Sequence, residues 1–487
     1  MMSQKAIEGL QPELIWKYFY GITQVPRPSK KEEKIRAHVR EFAKANKFEF
    51  VEDKVGNIVI KVPATKGYEN KPVLVLQGHV DMVCEKNKET KHDFENDPIK
   101  VLREGDWITA DGTTLGADNG IGVAAAMAIA TDPEAIHGPL EILCTIDEET
   151  GMTGVKELKP GFITGRTLLN MDSEEDGAFY VGCCGGQDTV GVFEIQYSDL
   201  KEGYKPYELM ITGLKGGHSG LDIILQRANA IKLMARLLHR LEEIKYKIAD
   251  FNGGSLRNAI PREAEVTLLI DPAVEKKVSE IINQFISDSL LEYKTTDGGL
   301  KVIFEKKKEN YTKAFRKKFT RKLINTLLAL PHGVMAMSPD IAELVETSTN
   351  LATVKIDGEK IKIGTSQRSS IDPAKMNIAY QVAAVLSLAD GEVIIGDHYP
   401  GWQPNMDSEL LKKCKALYKT KYGNGPEIKA IHAGLETGLL GANYPGIDMI
   451  SFGPTIQGAH SPDEKVNIPA VAKFYELAKE IVKSYAQ

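Results

Sequence analysis

Apolar residues in this chain gather in short runs, and carboxylates or histidines stand where the runs stop. Val73–Leu76 is a brief apolar run of strand length, and Leu140–Ile146, Thr167–Met171 and Ile447–Phe452 read the same way. Helical patterns lie between them. One is expected near Pro12–Tyr20. Pro26-Arg27-Pro28 breaks the chain, and Ser29-Lys30-Lys31-Glu32 has capping-box spacing, which predicts a second helix starting at Ser29. Asn119–Ala130 is small and apolar, with Asp118 at its N-cap position and Asp132-Pro133 as its stop. Leu410, Leu411, Cys414, Leu417 and Tyr418 form one helical face that ends at Gly423. Strands alternating with helices predict an α/β layer structure.

From about Gln187 the texture changes. The next stretch is richer in charge and lacks the ligand-type clusters. It holds the same tetrapeptide twice, Ile270-Asp271-Pro272-Ala273 and Ile371-Asp372-Pro373-Ala374, each before a helical pattern. Val274, Val278, Ile281, Phe285 and Leu290 mark the first helix; Ile378, Val382, Val385 and Leu386 mark the second. Asp at N-cap with Pro at N1 starts many helices, so the match is compatible both with two duplicated halves and with chance. The α/β texture returns after Gly396. The expected layout is a discontinuous domain, 1–187 with 398–487, and an inserted domain, 188–397.

A length of 487 residues calls for more than one core. The net charge of −6 offers no electrostatic reason for nucleic-acid binding, and no apolar stretch approaches a membrane span. Five cysteines without CxxC spacing suggest a reducing compartment, and the N-terminus carries no apolar signal core. A cytoplasmic protein is expected.

The chemistry lies at the ends of the runs: His79 and Asp81, Asp118, Asp147-Glu148-Glu149, Asp172 and His460. Open α/β sheets place ligands at such strand ends. Two divalent ions need a bridging carboxylate, and Asp118 is the natural bridge. His79 and Asp172 can complete one ion, Glu149 and His460 the other. Three carboxylates and one hydroxide then neutralise two divalent cations. Mixed nitrogen and oxygen ligands suit Zn²⁺, with Mn²⁺ or Co²⁺ as substitutes. Asp81, two residues after His79, is placed to orient the imidazole. Glu148 is the general base and later the acid for the leaving amine. Gly120-Ile121-Gly122-Val123-Ala124-Ala125 imitates a dinucleotide fingerprint, but a polar loop precedes it rather than a strand.

Gly112-Thr113-Thr114-Leu115-Gly116-Ala117-Asp118-Asn119-Gly120-Ile121-Gly122 resembles the bridging-ligand segment of the aminoacyl-histidine dipeptidases. So do His79-Val80-Asp81-Met82-Val83, Asp147-Glu148-Glu149-Thr150-Gly151 and Ala459-His460-Ser461-Pro462. These are cytosolic di-zinc enzymes related to the carnosine-hydrolysing and tripeptide peptidases. The resemblance implies a mixed-sheet catalytic domain of the phosphorylase/hydrolase-like exopeptidase kind and an inserted α+β lid that forms a homodimer. It implies the same five ligands, the same base, two Zn²⁺ per subunit and a small peptide substrate of Xaa-His type. The alternatives are a tripeptidase, a carboxypeptidase or an N-acyl amino-acid deacylase with the same metal site. Gly216-Gly217-His218-Ser219-Gly220 resembles the lid segment whose histidine stabilises the oxyanion, in its own or the partner subunit. Asn258, Arg368 and His432 match positions near the substrate, and Arg368 can pair with a carboxylate bidentately.

Overall fold

Leu74–His79 is buried at all six positions, its apolar start Leu74–Leu76 and its polar end Gln77–His79 alike, as in a central strand with both faces covered. The computed structural model describes residues 2–487. It divides into two units: Met1–Gly182 with Pro404–Ala430 and Leu435–Gln487, and Cys183–Gln403 with Ile431–Gly434. The first is discontinuous and the second interrupts it. The second unit begins before residue 188 because its strand Gly185–Glu194 is already under way where the composition shifts.

The first unit is built on a mixed eight-stranded sheet. Its order is Glu49–Glu52, Ile58–Val62, Leu140–Thr145, Leu74–His79, Thr167–Asn170, Asp448–Ser451, Ala178–Cys183, Glu427–Ile431. Leu74–His79 runs parallel to Leu140–Thr145 and Thr167–Asn170, and Asp448–Ser451 runs parallel to Thr167–Asn170. These four strands therefore end at one edge, and the polar clusters follow at that edge. The helix Ala117–Thr131 packs on Leu74–His79 through small residues. A Cβ on Gly78 would lie 2.2 Å from Asn119 Oδ1, and one on Gly122 would lie 2.2 Å from the Met171 carbonyl. No bulkier residue fits at either contact.

The helix near Pro12–Tyr20 is found at Glu13–Thr23, and Gly423, with φ 84°, ends Glu409–Tyr422 as expected. The helix predicted at Ser29 starts instead at Glu33 and runs to Ala45. Ser29 Oγ is drawn to Asp81 Oδ2 at 2.7 Å, and Glu32 Oε1 accepts from the Lys30 amide at 2.7 Å and the Asp147 amide at 3.1 Å. The capping-box residues are thus used across the fold rather than on their own helix. Asp118 lies inside the helix as bounded, with a non-helical backbone (φ −80°, ψ 113°), and its carboxylate faces two histidines rather than the helix amides.

The second unit carries an antiparallel sheet. The order is Lys301–Lys306, Lys205–Thr212, Ala264–Ile270, Tyr246–Gly253, Val345–Asp357, Lys360–Ser369, Gly185–Glu194, Glu392–Tyr399, with Gly333–Met337 also paired to Val345–Asp357. Four helices, Ala230–Arg240, Glu275–Asp297, Lys317–Ala329 and Asp372–Leu388, pack on it around Tyr207, Phe251, Leu268, Phe285, Phe315 and Ile363. The first half has the chain order strand, helix, strand, strand, helix, strand, and the second follows it with Gly333–Met337 added before Val345–Asp357. The halves meet where Tyr246–Gly253 pairs with Val345–Asp357. The repeated tetrapeptide occupies equivalent strand-to-helix turns but works differently in each. Asp271 accepts the Ala273 amide at 2.9 Å as an N-cap, whereas Asp372 is held by Lys375 Nζ at 2.7 Å.

Candidate metal centre

His79 Nε2 lies 3.0 Å from Asp118 Oδ1 and 3.3 Å from Asp172 Oδ1. His460 Nε2 lies 3.3 Å from Asp118 Oδ2 and 3.0 Å from Glu149 Oε2. Two ligand trios result, His79–Asp118–Asp172 and Asp118–Glu149–His460, with Asp118 common to both. His79 is the last residue of its strand, and Asp172 and Glu149 lie just beyond theirs. Asp118 sits at the start of the glycine-rich helix, where its peptide bond to Asn119 is cis. Glu148 joins His79 and Glu149 in a third close group. The pair Glu148-Glu149 opens a helical turn after Asp147, whose φ is 53°, and both carboxylates reach the cluster.

Asp81 does more than orient His79, whose Nδ1 faces Asp81 Oδ1 at 3.4 Å. It also accepts the amides of Glu148 at 3.1 Å and Glu149 at 3.2 Å, so one buried carboxylate fixes a histidine and the acidic pair. Burial opposes its charge, yet the His79, Ser29 and Glu148 hydrogen bonds hold it at about 2.

Three buried supports carry no sequence signal that reasoning from motifs would catch. Glu464 accepts the amides of Leu115, Gly116, Ala117 and Asp118 at 2.7, 2.9, 2.7 and 3.3 Å. It stands four residues after His460, so it ties one ligand loop to the other. Arg27 donates to the carbonyls of Val80 at 3.0 Å, Asp81 at 2.6 Å and Gly116. Glu436 lies beneath the cluster, accepting from Gln77 Nε2 at 2.6 Å and Thr145 Oγ1 at 2.7 Å. Burial, with Asp172 and Asp81 nearby, pushes it up to about 8 against the pull of His79.

The remaining predicted residues lie together in the second unit. His218 sits on the two-residue strand paired with Ala259–Ile260, next to the exposed Asn258, whose carbonyl accepts the Ser219 amide at 2.8 Å. His218 Nδ1 accepts the amides of Gly220 at 3.2 Å and Leu221 at 3.1 Å, which puts the proton of a neutral ring on Nε2. Burial and the charge of Arg368 lower the His218 pKa, favouring that neutral form. Arg368 donates to Tyr399 Oη at 3.0 Å and Ser219 Oγ at 3.4 Å. His432, without a partner in the sequence reading, pairs through Nε2 with Ser348 Oγ at 2.7 Å, and burial with Arg368 lowers it to about 3.

The model of peptidase family M20/M25/M40 matches residues 75–484. The chain belongs to this family. It is 39% identical over 478 residues, 98% of each chain, to the cytosol non-specific dipeptidase of Escherichia coli K12. Its structure is similar to that of aminoacylhistidine dipeptidase from Vibrio alginolyticus, with TM-score 0.90, 41% identity and 98% of each chain covered. A likeness of fold extends to aminopeptidase PepT from Bacillus cereus, with TM-score 0.56, 16% identity and 98% and 100% of the two chains covered. This M20 chain is a hydrolase of peptide bonds, and its acidic and histidine groups are able to bind metal.

The residues themselves fit such ions. Each histidine Nε2 faces two carboxylates, and one ring proton cannot satisfy both; a cation in each place can. Asp172 Oδ1 is buried without a hydrogen-bond donor. Burial, reinforced by Asp118 and Glu149, pushes Asp172 up to about 7. Hydrogen bonds to Asp118 and Glu149 push His460 up to about 11, and in His79 the nearby aspartates outweigh burial and raise the ring well above its usual range. The cluster is gathering protons where positive charge belongs.

Proposed function

We propose that this peptidase is a cytoplasmic dipeptidase that cleaves free dipeptides, Xaa-His among the preferred ones, at a two-ion centre. The observation that carries the reading is the pair of trios sharing Asp118 with Glu148 beside them. The names of the two relatives that match over nearly the whole chain, both dipeptidases, support it. Among the described residues no helix is long and apolar enough to cross a membrane.

His79, Asp118 and Asp172 would hold one ion, Asp118, Glu149 and His460 the other, with Zn²⁺ first and Mn²⁺ or Co²⁺ as substitutes. When bound, two such ions lower the pKa of a water toward ~7 and polarise the scissile carbonyl. Glu148 takes the proton of the attacking water and delivers it to the leaving nitrogen. Asp81 holds His79 and the backbone of the acidic pair in register. We assign the oxyanion donor to His218 through its protonated Nε2. Arg368, braced by Tyr399 and Ser219, receives the substrate carboxylate, with Asn258 and His432 beside it. A homodimer formed through the second unit belongs to the same proposal.

The test is a panel of Xaa-His dipeptides, other dipeptides, tripeptides and N-acetyl amino acids, assayed with added Zn²⁺, Mn²⁺ or Co²⁺. Dipeptides should turn over fastest; faster cleavage of tripeptides or N-acetyl amino acids refutes the assignment. Glu148→Gln should keep the wild-type metal content and lose about 10²–10⁴ in kcat. Retained turnover removes Glu148 as base. Asp118→Asn should bind fewer than two ions.

A further inference from the structure

The strand Thr167–Asn170 leads into an acidic run, Asp172-Ser173-Glu174-Glu175-Asp176. Three of its four acids are engaged within the fold. Asp172 belongs to a ligand trio. Glu175 is paired with Lys429 Nζ at 2.6 Å and accepts from Tyr180 Oη at 2.8 Å, and Asp176 is paired with Lys473 Nζ at 2.9 Å. Glu174 is different. Its side chain is exposed, and among the described residues no Lys, Arg or His forms an ion pair with it.

Its neighbours fix where its backbone stands. Ser173 is buried, its Oγ 2.7 Å from Ser451 Oγ. Asp172, on the other side of Ser173, has its Oδ1 3.3 Å from His79 Nε2. The Glu174 backbone is pinned there, its carbonyl accepting the Ile456 amide at 3.1 Å in the segment that leads to His460. The charged groups that bear on its carboxylate are Asp118, His460, Glu464 and Glu149. An exposed carboxylate with no cation of its own therefore borders the centre.

The ion balance says what it awaits. Two divalent cations would be neutralised by Asp118, Glu149, Asp172 and a hydroxide; of the carboxylates outside that balance, Glu148 is engaged as the base and Glu174 is not. A free dipeptide brings a compact cation, its α-ammonium, close to the scissile bond. We propose that Glu174 receives the substrate α-ammonium and so selects peptides with a free N-terminus over N-acylated ones. The inference rests on the dipeptidase reading above and names the residue that enforces it.

The test uses the metal-loaded enzyme with alanyl-histidine and its des-amino counterpart, N-propionyl-histidine, which differ only in the ammonium group. The wild type should prefer alanyl-histidine by about tenfold or more in kcat/KM, the scale of one charge-assisted contact. Glu174→Gln should raise KM for alanyl-histidine about tenfold, leave kcat within about threefold, and leave N-propionyl-histidine unchanged, which erases the preference. The fall in wild-type kcat/KM as the α-amino group loses its proton near pH ~8 should flatten in the variant. Glu174→Asp should restore part of the preference. An equal loss on both substrates, or no loss on either, overturns the role of Glu174 while dipeptide cleavage by the wild type leaves the dipeptidase reading intact. A wild type that cleaves only the des-amino compound, or neither, overturns both.

Discussion

Glu464 satisfies four successive amides with two oxygens while 1% exposed, and the loop it shapes carries the carboxylate common to both ligand trios. Removing it leaves four donors short of partners and frees the Asp118 loop. Glu464→Ala should therefore weaken metal binding about 10–100-fold, the usual cost of losing a group that orients a ligand. Competition against a chelating dye reads the affinity, and far-UV circular dichroism reports on the fold. Wild-type affinity in a folded Glu464→Ala protein would dismiss the role. The proposed ligands were legible as candidates because each lies in a short polar motif, most of them at strand ends. Glu464, Arg27 and Glu436 were not, because they act on backbone or amide groups remote in sequence: the amides bound by Glu464 lie 346 to 349 positions away. A lone Glu in a polar loop looks like surface until the fold brings those amides to it.

Among elements, strands and helix faces were readable wherever apolar periodicity ruled, and least so where one polar residue had two uses. Ser29 had good capping chemistry, yet Asp81 outcompeted the local amides because a buried carboxylate gains more from its hydroxyl than a solvated helix end does. Helix junctions in the second unit show the same dependence on buried polar groups. Asn229 caps Ala230–Arg240 by accepting the Ile231 and Lys232 amides at 3.0 and 3.1 Å and donates to the Leu351 carbonyl at 2.8 Å. Lys232 Nζ donates to the carbonyls of Leu327, Leu328 and Leu330 at the end of Lys317–Ala329. Between them His332 Nδ1 accepts the Leu351 amide at 3.4 Å. Burial, with Lys232 beside it, lowers His332 from 6.5 to about 4. The folded pKa lies below the unfolded one, so the stability it gives is fully present above pH ~6.5 and is lost as pH falls through ~4. His332→Gln keeps an acceptor and removes the titration. Its acid limb of stability against pH should be shallower than that of the wild type by up to about 3 kcal/mol between those limits. Urea melts of the second unit at pH 7, 5.5 and 4.5 measure this, and parallel limbs would assign the wild-type slope to other groups.

At the scale of the molecule, both units have cores of their own, but every proposed metal ligand belongs to the first. His79, Asp118, Glu149 and Asp172 precede the inserted unit in sequence and His460 follows it. An ion at the second trio thus joins segments separated by more than two hundred residues of inserted chain, and binding only to the folded state stabilises that state by mass action. Without ions the first unit keeps buried carboxylates facing one another, with Arg27 and ring protons to balance them. Calorimetry should show this as a selective effect. Adding Zn²⁺ to about a thousand times its Kd should stabilise the transition of the first unit by about 4 kcal/mol, and chelation should reverse it. The transition of the second unit, built around Tyr207, Phe251 and Phe285, should keep its midpoint. The His332→Gln variant, altered only in the second unit, identifies that transition by its shift at low pH. Equal shifts in both transitions, or none in the first, would refute a metal centre confined to the discontinuous unit.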